Sequence, residues 1–301
     1  MNSNKEKIVV IGGPTCIGKS DYAVELALKH NGEIIGADSV QIYKYLDIGS
    51  GKITKEEMRG IPHYLINIKE PDEPFTVVDF MTEAKPIITD IISRGKLPIL
   101  VGGTGFYINA LLHGYDCGHV GPDANMREEL IEAEKRHGTG YLYSKLKELE
   151  PNTPVRENDM PRITRRLELL LSPGDMPAPD PDREAYDALL VVMDADREAI
   201  DAKAAKRISK MIDGGFLREV AGLERYFDCR ALGSVGYAEA VRGLKNGLTR
   251  EEIEADMRHG YHALIKKQQT FFRWIKWRKK AFVTNWNYES ANNAVKEFSE
   301  H

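Results

Sequence analysis

Apolar residues in this chain recur in two rhythms. One is a short unbroken run closed by glycine or a polar turn: Ile8-Val9-Val10-Ile11, Ile34-Ile35-Gly36-Ala37, Ile99-Leu100-Val101 and Ala188-Leu189-Leu190-Val191-Val192-Met193. Such runs predict strands covered on both faces, as in a parallel sheet. A turn and a further strand are expected over 60–68. The other rhythm is helical. Phe80, Ala84, Ile87, Ile88, Ile91 and Ile92 fall near one face of a helix over 75–93, with Pro86 expected to kink it. Helices are also predicted over 21–28, closed near Asn31-Gly32, and over 196–212 and 216–226. Strands alternating with helices predict an α/β fold, a parallel sheet core flanked by helices.

After Gly114 the pattern changes. Gly121-Pro122-Asp123 opens a polar stretch with helices expected over 126–136, 141–149 and 159–171, followed by a proline-rich loop over 172–182. This predicts a small all-helical insertion over 115–186, with 1–114 and 187–301 forming the core. In the third of these helices Arg162, Arg165 and Arg166 lie at three- and four-residue steps, near one face. That face suits phosphate contacts, and a solvated, salt-bridged helix is the alternative.

The chemistry concentrates where strands end. Gly13-Pro14-Thr15-Cys16-Ile17-Gly18-Lys19-Ser20 stands between the first strand and its helix, the setting in which G-x-x-x-x-G-K-[ST] cradles phosphate. Its amides and the helix N-terminus favour an anion. Lys19 adds a full charge, and the Ser20 hydroxyl is placed to ligate Mg²⁺. The core is therefore a P-loop sheet binding at least two linked phosphates, as a nucleotide or another diphosphate.

The second strand runs into Asp38-Ser39-Val40-Gln41, beside the phosphate loop if strands one and two lie close. General base, indirect Mg²⁺ ligand and cap compete as roles for Asp38. A second glycine turn, Gly102-Gly103-Thr104-Gly105, also opens a helix, so a two-sided phosphate site is expected. Thr104 is either a donor to phosphate or an N-cap. His63, at a strand start, is expected to be structural.

Charge narrows the partners. The net charge of −4 excludes a protein that is basic all over, so a nucleic-acid partner needs a local patch. One exists: seven Lys or Arg and no acid lie between Lys266 and Lys280, interleaved with Phe271, Phe272, Trp274 and Trp277. Cys16, Cys117 and Cys229 fit no zinc spacing and suggest a reduced, cytoplasmic setting. No signal-peptide pattern and no membrane-spanning run is evident.

The runs GPTCIGKS, ADSVQIYKYLDIGSGK, GIPHYLINI and LPILVGGTGFY, in this order, resemble the tRNA dimethylallyltransferases, also called tRNA isopentenyltransferases. The likeness continues more loosely through Asn158-Asp159 with Arg162 and Arg165, through Gly236-Tyr237 and into the basic helix, to about Trp277. The resemblance implies transfer of a dimethylallyl group from dimethylallyl diphosphate to N6 of the adenosine 3′ to the anticodon, with Mg²⁺ as cofactor and the enzyme acting as a monomer. It implies Asp38, Thr104 and Lys19 as catalytic residues, the loop from Gly13 to Ser20 as the diphosphate site, and the insertion as a grip on the anticodon stem-loop. As tRNA contacts it implies Asp38, Ser39, Val40, Gln41 and Thr104, then Arg127, Pro161, Arg162, Ile163, Thr164 and Arg165. Gly236, Tyr237, Lys266, Lys267, Gln268, Gln269 and Arg273 complete that set.

The family's arginine at Arg197 is often assigned to phosphate. The chain departs from the family at Lys267, more often arginine, at Phe271, more often tryptophan, and in the loop over 172–182. A small-molecule kinase explains the loop and Asp38 but leaves the basic helix and arginine face unused. A non-catalytic RNA-binding module leaves Asp38 and Thr104 without work.

Overall fold

The structure, a computed structural model, describes residues 5–115, 123–172 and 183–300. Cys117, the Gly121-Pro122 turn and the loop over 173–182 lie outside the described residues. The chain forms two compact units, Met1–Gly114 with Asp182–His301, and Tyr115–Pro181.

The larger unit holds a six-stranded sheet in the order β3-β2-β4-β1-β5-β6. These are β1 (Lys7–Gly12), β2 (Gly32–Gly36), β3 (His63–Tyr64), β4 (Leu97–Gly102), β5 (Asp187–Asp194) and β6 (Lys280–Thr284). All pairings are parallel, with Val10 opposite both Leu100 and Leu190. β1 is central and almost wholly buried, which is why it reads as an unbroken apolar run. β1 and β2 are not neighbours; β4 lies between them. The strand expected over 60–68 shrinks to two residues, because Leu65 and Asn67 take positive φ (60° and 58°) and break the extended chain.

Helices α1 (Lys19–Lys29), α2 (Val77–Ser93) and α3 (Gly105–His113) follow the early strands. α2 starts at a reciprocal cap, in which the Asp79 N–H donates to the Thr76 hydroxyl and the Thr76 N–H donates to the Asp79 carboxylate. It buries Phe80, Met81, Ala84, Ile88 and Ile91.

In the smaller unit, α4 (Ala124–His137), α5 (Tyr141–Leu149) and α6 (Met160–Leu171) bury Leu130, Leu142, Leu146, Ile163 and Leu167 together. The chain after β5 supplies α7 (Arg197–Asp213), α8 (Phe216–Ala221), α9 (Tyr237–Asn246), α10 (Arg250–Trp274) and α11 (Glu289–Glu300). α8 stops at Gly222, short of the expected Tyr226, which sits in a separate single turn of 3₁₀ helix. α10 is 25 residues long and begins at a Thr249/Glu252 capping box. It ends at Trp274, so Lys276, Arg278, Lys279 and Lys280 are not helical. Among the described residues no helix is long and apolar enough to cross a membrane.

Candidate functional site

The phosphate loop runs from the end of β1 into α1. Gly18 sits at the N-cap with φ 95°, a conformation glycine adopts without strain. Cys16 also has positive φ (65°). Gly13, Pro14 and Ile17 are buried, so Ile17 anchors the loop and what the loop offers a ligand is backbone. The Lys19 ammonium donates to the Pro14 carbonyl at 2.7 Å. Desolvation lowers its pKa to about 8, against the pull of Asp38. Cys16 and Cys229 are free thiols.

Two side chains from late in the chain brace this loop. The Thr15 N–H donates to Gln268 Oε1 (2.9 Å), and Gln268 Nε2 donates to the Gly103 carbonyl (3.1 Å). Gln268 therefore ties the two glycine turns to α10. Trp286 Nε1 donates to the Ile17 carbonyl (2.8 Å), and the Lys203 ammonium lies 3.3 Å from the centre of the Trp286 ring.

Asp38 follows β2 directly. Its Oδ1 accepts from the N–H groups of Val40 (2.9 Å) and Gln41 (3.3 Å), so it closes a turn over the next residues. Its Oδ2 takes no hydrogen bond among the described residues. Thr104 occupies the N-cap position of α3 without capping it; its hydroxyl accepts from the Ser39 N–H (3.0 Å) and donates to Ser39 Oγ (3.3 Å). The Thr104 N–H donates to the Ala37 carbonyl, and the Ala37 N–H to that of Val101. These bonds bring the Asp38 turn to the carboxyl end of β4, although β2 is one strand removed from β1.

A cavity of about 770 Å³ opens between these loops. Thr15, Cys16, Gly18, Lys19, Ser20, Asp38, Gln41 and Gly103 line it, together with Ser50, Gly51 and Lys52. Thr104 and Ser39 are not among its walls. His63 reaches the cavity, but its Nδ1 lies 2.8 Å from the Ile61 carbonyl, the structural role expected. Lys52 is spent on the Tyr43 carbonyl, Asp47 and Asn67.

The far wall carries Lys203, Lys206, Arg207 and Lys210 of α7. Sequence reasoning missed them, although spacings of three, four and seven residues mark one helix face. Arg197, for which phosphate binding was expected, faces elsewhere. It bonds Asp201, the Gln269 side chain and the His262 carbonyl. The arginine at the cavity is Arg207.

The residues expected at RNA divide by burial. Tyr237 is 0% exposed, with its hydroxyl on Glu219 at 2.6 Å, and Gly236 is buried beside it. Gln269 is 5% exposed and bonds Asp194, the Ala195 carbonyl and Arg197. Ile163 and Thr164 belong to the core side of α6. All five are buried, so the structure places their side chains, or for Gly236 its backbone, inside the protein and not on an open face.

Pro161, Arg162, Lys266, Lys267 and Arg273 are exposed. Arg273 pairs with Asp194, while Lys266 and Lys267 make no ion pair among the described residues. In the smaller unit Glu168 is fully buried and accepts from Arg127 (2.8 Å) and Arg165 (2.6 Å). Burial pushes the Glu168 carboxyl up, and the two guanidinium groups outweigh it to hold it below the usual range. Arg166 pairs with Glu150. The salt-bridged alternative thus describes Arg165 and Arg166, and Arg127 is paired as well. Arg162 has its side chain 78% exposed, with only Asp159 near it among the described residues, at 3.4 Å.

No group of three or more His, Cys, Asp or Glu that could hold a metal occurs among the described residues. The oxygen donors lining the cavity include the Ser20 hydroxyl and the carboxylates of Asp38, Asp21 and Glu57, with no cluster of three among them. This set fits a hard cation that takes most of its oxygens from phosphate and water.

Comparison with known proteins agrees along the chain. A family model described as IPP transferase matches residues 41–274, and one described as isopentenyl transferase matches residues 6–71. A tRNA dimethylallyltransferase of Thermoanaerobacter sp. (strain X514) is 38% identical, over 96% of each chain. One from Bacillus mycoides is 37% identical, over 89% of this chain and 87% of its own. The crystal structure of the full-length tRNA isopentenylpyrophosphate transferase from Bacillus halodurans superposes with TM-score 0.74 at 33% identity, covering 98% of this chain and 97% of that one. A eukaryotic dimethylallyltransferase acting on tRNA gives TM-score 0.79 at 25% identity, covering 96% of this chain and 78% of its own.

Proposed function

The chain belongs to the IPP transferase family, and from that premise we propose that it moves a dimethylallyl group from dimethylallyl diphosphate to N6 of the adenosine 3′ to a tRNA anticodon. It is a prenyl-transferring tRNA dimethylallyltransferase by kinship; the donor, the atom attacked and the residues below are our reading. The observation that carries it is a single cavity holding both the phosphate loop with Lys19 and the carboxylate of Asp38.

The exocyclic amine of adenine is a weak nucleophile, because its lone pair is delocalised into the ring. Asp38 accepts its proton as the C–N bond forms, using the oxygen that the Val40 and Gln41 amides leave unoccupied. The allylic carbon spreads its positive charge over three carbons, so it separates early and charge builds on the departing diphosphate. The loop amides, Lys19 and Arg207 stabilise that charge where it develops. The Ser20 hydroxyl would hold Mg²⁺, which would supply further positive charge at the leaving group. Thr104, paired with Ser39, borders the Asp38 turn and contacts the target nucleotide. Arg162, Lys266 and Lys267 supply exposed charge for the RNA backbone. The base has to leave its stack, which a single-stranded anticodon loop makes easier.

The test is incubation with labelled dimethylallyl diphosphate, Mg²⁺ and tRNA lacking the modification. Label is expected in N6-dimethylallyladenosine. Asp38→Ala is expected to abolish transfer while leaving tRNA affinity nearly intact. Normal turnover in that variant would remove Asp38 from the mechanism, and consumption of ATP with a small acceptor would favour a kinase.

A further inference from the structure

One carboxylate outside the cavity holds a wall of it in place. Glu219 of α8 accepts from three successive backbone N–H groups: Asp47 (3.2 Å) and Ile48 (2.7 Å) on Oε2, and Gly49 (3.2 Å) on Oε1. The Tyr237 hydroxyl adds a fourth donor, on Oε1. Four donors match the acceptor capacity of an ionised carboxylate. The segment they fix is packed without slack, since a Cβ on Gly49 would lie 2.2 Å from Phe216 and 2.5 Å from Tyr237.

The same segment continues into the cavity, where Ile48, Ser50 and Gly51 form part of the wall. The Ser50 and Gly51 carbonyls accept from Gln41 Nε2 (3.2 and 3.4 Å), and the Gln41 N–H donates to Asp38 Oδ1. The phosphate loop has its own, separate supports in Gln268 and Trp286.

We infer that Glu219 is a positioning residue for the transfer reaction, fastening residues 47–51 so that Gln41 holds the Asp38 turn in register. The buried Tyr237 acts with it, as a clamp on Glu219. This inference rests on the function proposed above. Glutamine at 219 keeps the shape but turns an –NH₂ toward backbone donors, leaving N–H groups facing N–H.

The experiment compares wild type, Glu219→Gln and Tyr237→Phe in three assays: prenyl transfer to tRNA, binding of inorganic pyrophosphate, and amide hydrogen exchange. In Glu219→Gln, kcat is expected to fall on the order of 10²-fold, as misplacement of a reacting group does. Pyrophosphate affinity is expected to fall far less than kcat, because Gln268 and Trp286 hold the phosphate loop and only Arg207, which donates to the Ser50 carbonyl (3.1 Å), links the segment to the anion site. The Ile48 and Gly49 amides should exchange at least about tenfold faster, with protection of the sheet unchanged. Tyr237→Phe removes one donor of four and should lower kcat about fivefold, in a protein that keeps its ring packing. Wild-type kcat in both variants overturns the inference. So does a parallel loss of kcat and pyrophosphate affinity, the mark of a merely structural part. A wild-type protein that transfers no prenyl group refutes the proposed function instead.

Discussion

Lys19 shows how a single residue ties burial to chemistry. Its ammonium is held near pKa 8 by desolvation, so it is charged at neutral pH and loses that charge as pH rises through 8. Pyrophosphate affinity is therefore expected to decline above about pH 8 in wild type. In Lys19→Arg that break should vanish, because a guanidinium stays protonated; calorimetric titration across pH 7–9.5 measures both. Lys19 and Ser20 were legible in the sequence, because a G-x-x-x-x-G-K-S loop between strand and helix has few other uses, whereas Asp38 kept a cap among its roles and does close a turn. That Tyr237 and Gln269 are buried could not be read from the sequence, for a physical reason. A tyrosine or glutamine beside a functional block has the same letters whether its polar atom meets RNA or a buried partner, and only packing separates the two. Trp286 on the Ile17 carbonyl joins residues 269 positions apart. Nothing local in the chain announces it.

At the scale of elements, Glu33 carries the edge of the sheet. It is 1% exposed on β2 and accepts from Arg94 through both guanidinium nitrogens, from Lys96, and from Tyr64 of β3. The Arg94 hydrogen bonds lead the lowering of its pKa from 4.5 to about 2, against the opposing effect of burial. A carboxylate with a depressed folded pKa adds stability that is present in full above 4.5 and is lost as pH falls toward 2. Glu33→Gln is expected to cost about 2 kcal/mol at pH 7, the partners being partly solvated. The gap from wild type should close on acidification; urea unfolding at pH 7 and pH 3 reads both. Element types were legible because buried parallel strands and amphipathic helices differ in period. Boundaries were less so. β3 is cut short by backbone conformations at Leu65 and Asn67 that no propensity foretells. The start of α10 was readable in principle, from Thr249 and Glu252. The basic face of α7 was equally open to counting, but without the sheet order there was no telling which wall it lined.

For the whole molecule, charge is the quantity to follow. The RNA partner proposed for this acidic protein calls for concentrated cations, and many of its cations answer to acids of its own, as Arg273 does to Asp194 and Arg278 to Glu184. Lys266 and Lys267 are the exposed pair on α10 without such a partner among the described residues. Replacing either by alanine should weaken tRNA binding and lessen the slope of log affinity against log salt by about 0.9; filter binding over a salt series tests it. An unchanged slope would place the RNA backbone elsewhere. The central strand has a further consequence, in time rather than space. β1 pairs with β4 on one side and with β5 on the other, and β5 comes from beyond the smaller unit. During synthesis the first 114 residues emerge with one flank of their middle strand bare. Some seventy more must follow before the ribosome delivers its mate. A nascent chain stalled in that interval exposes an apolar edge suited to chaperones or to aggregation.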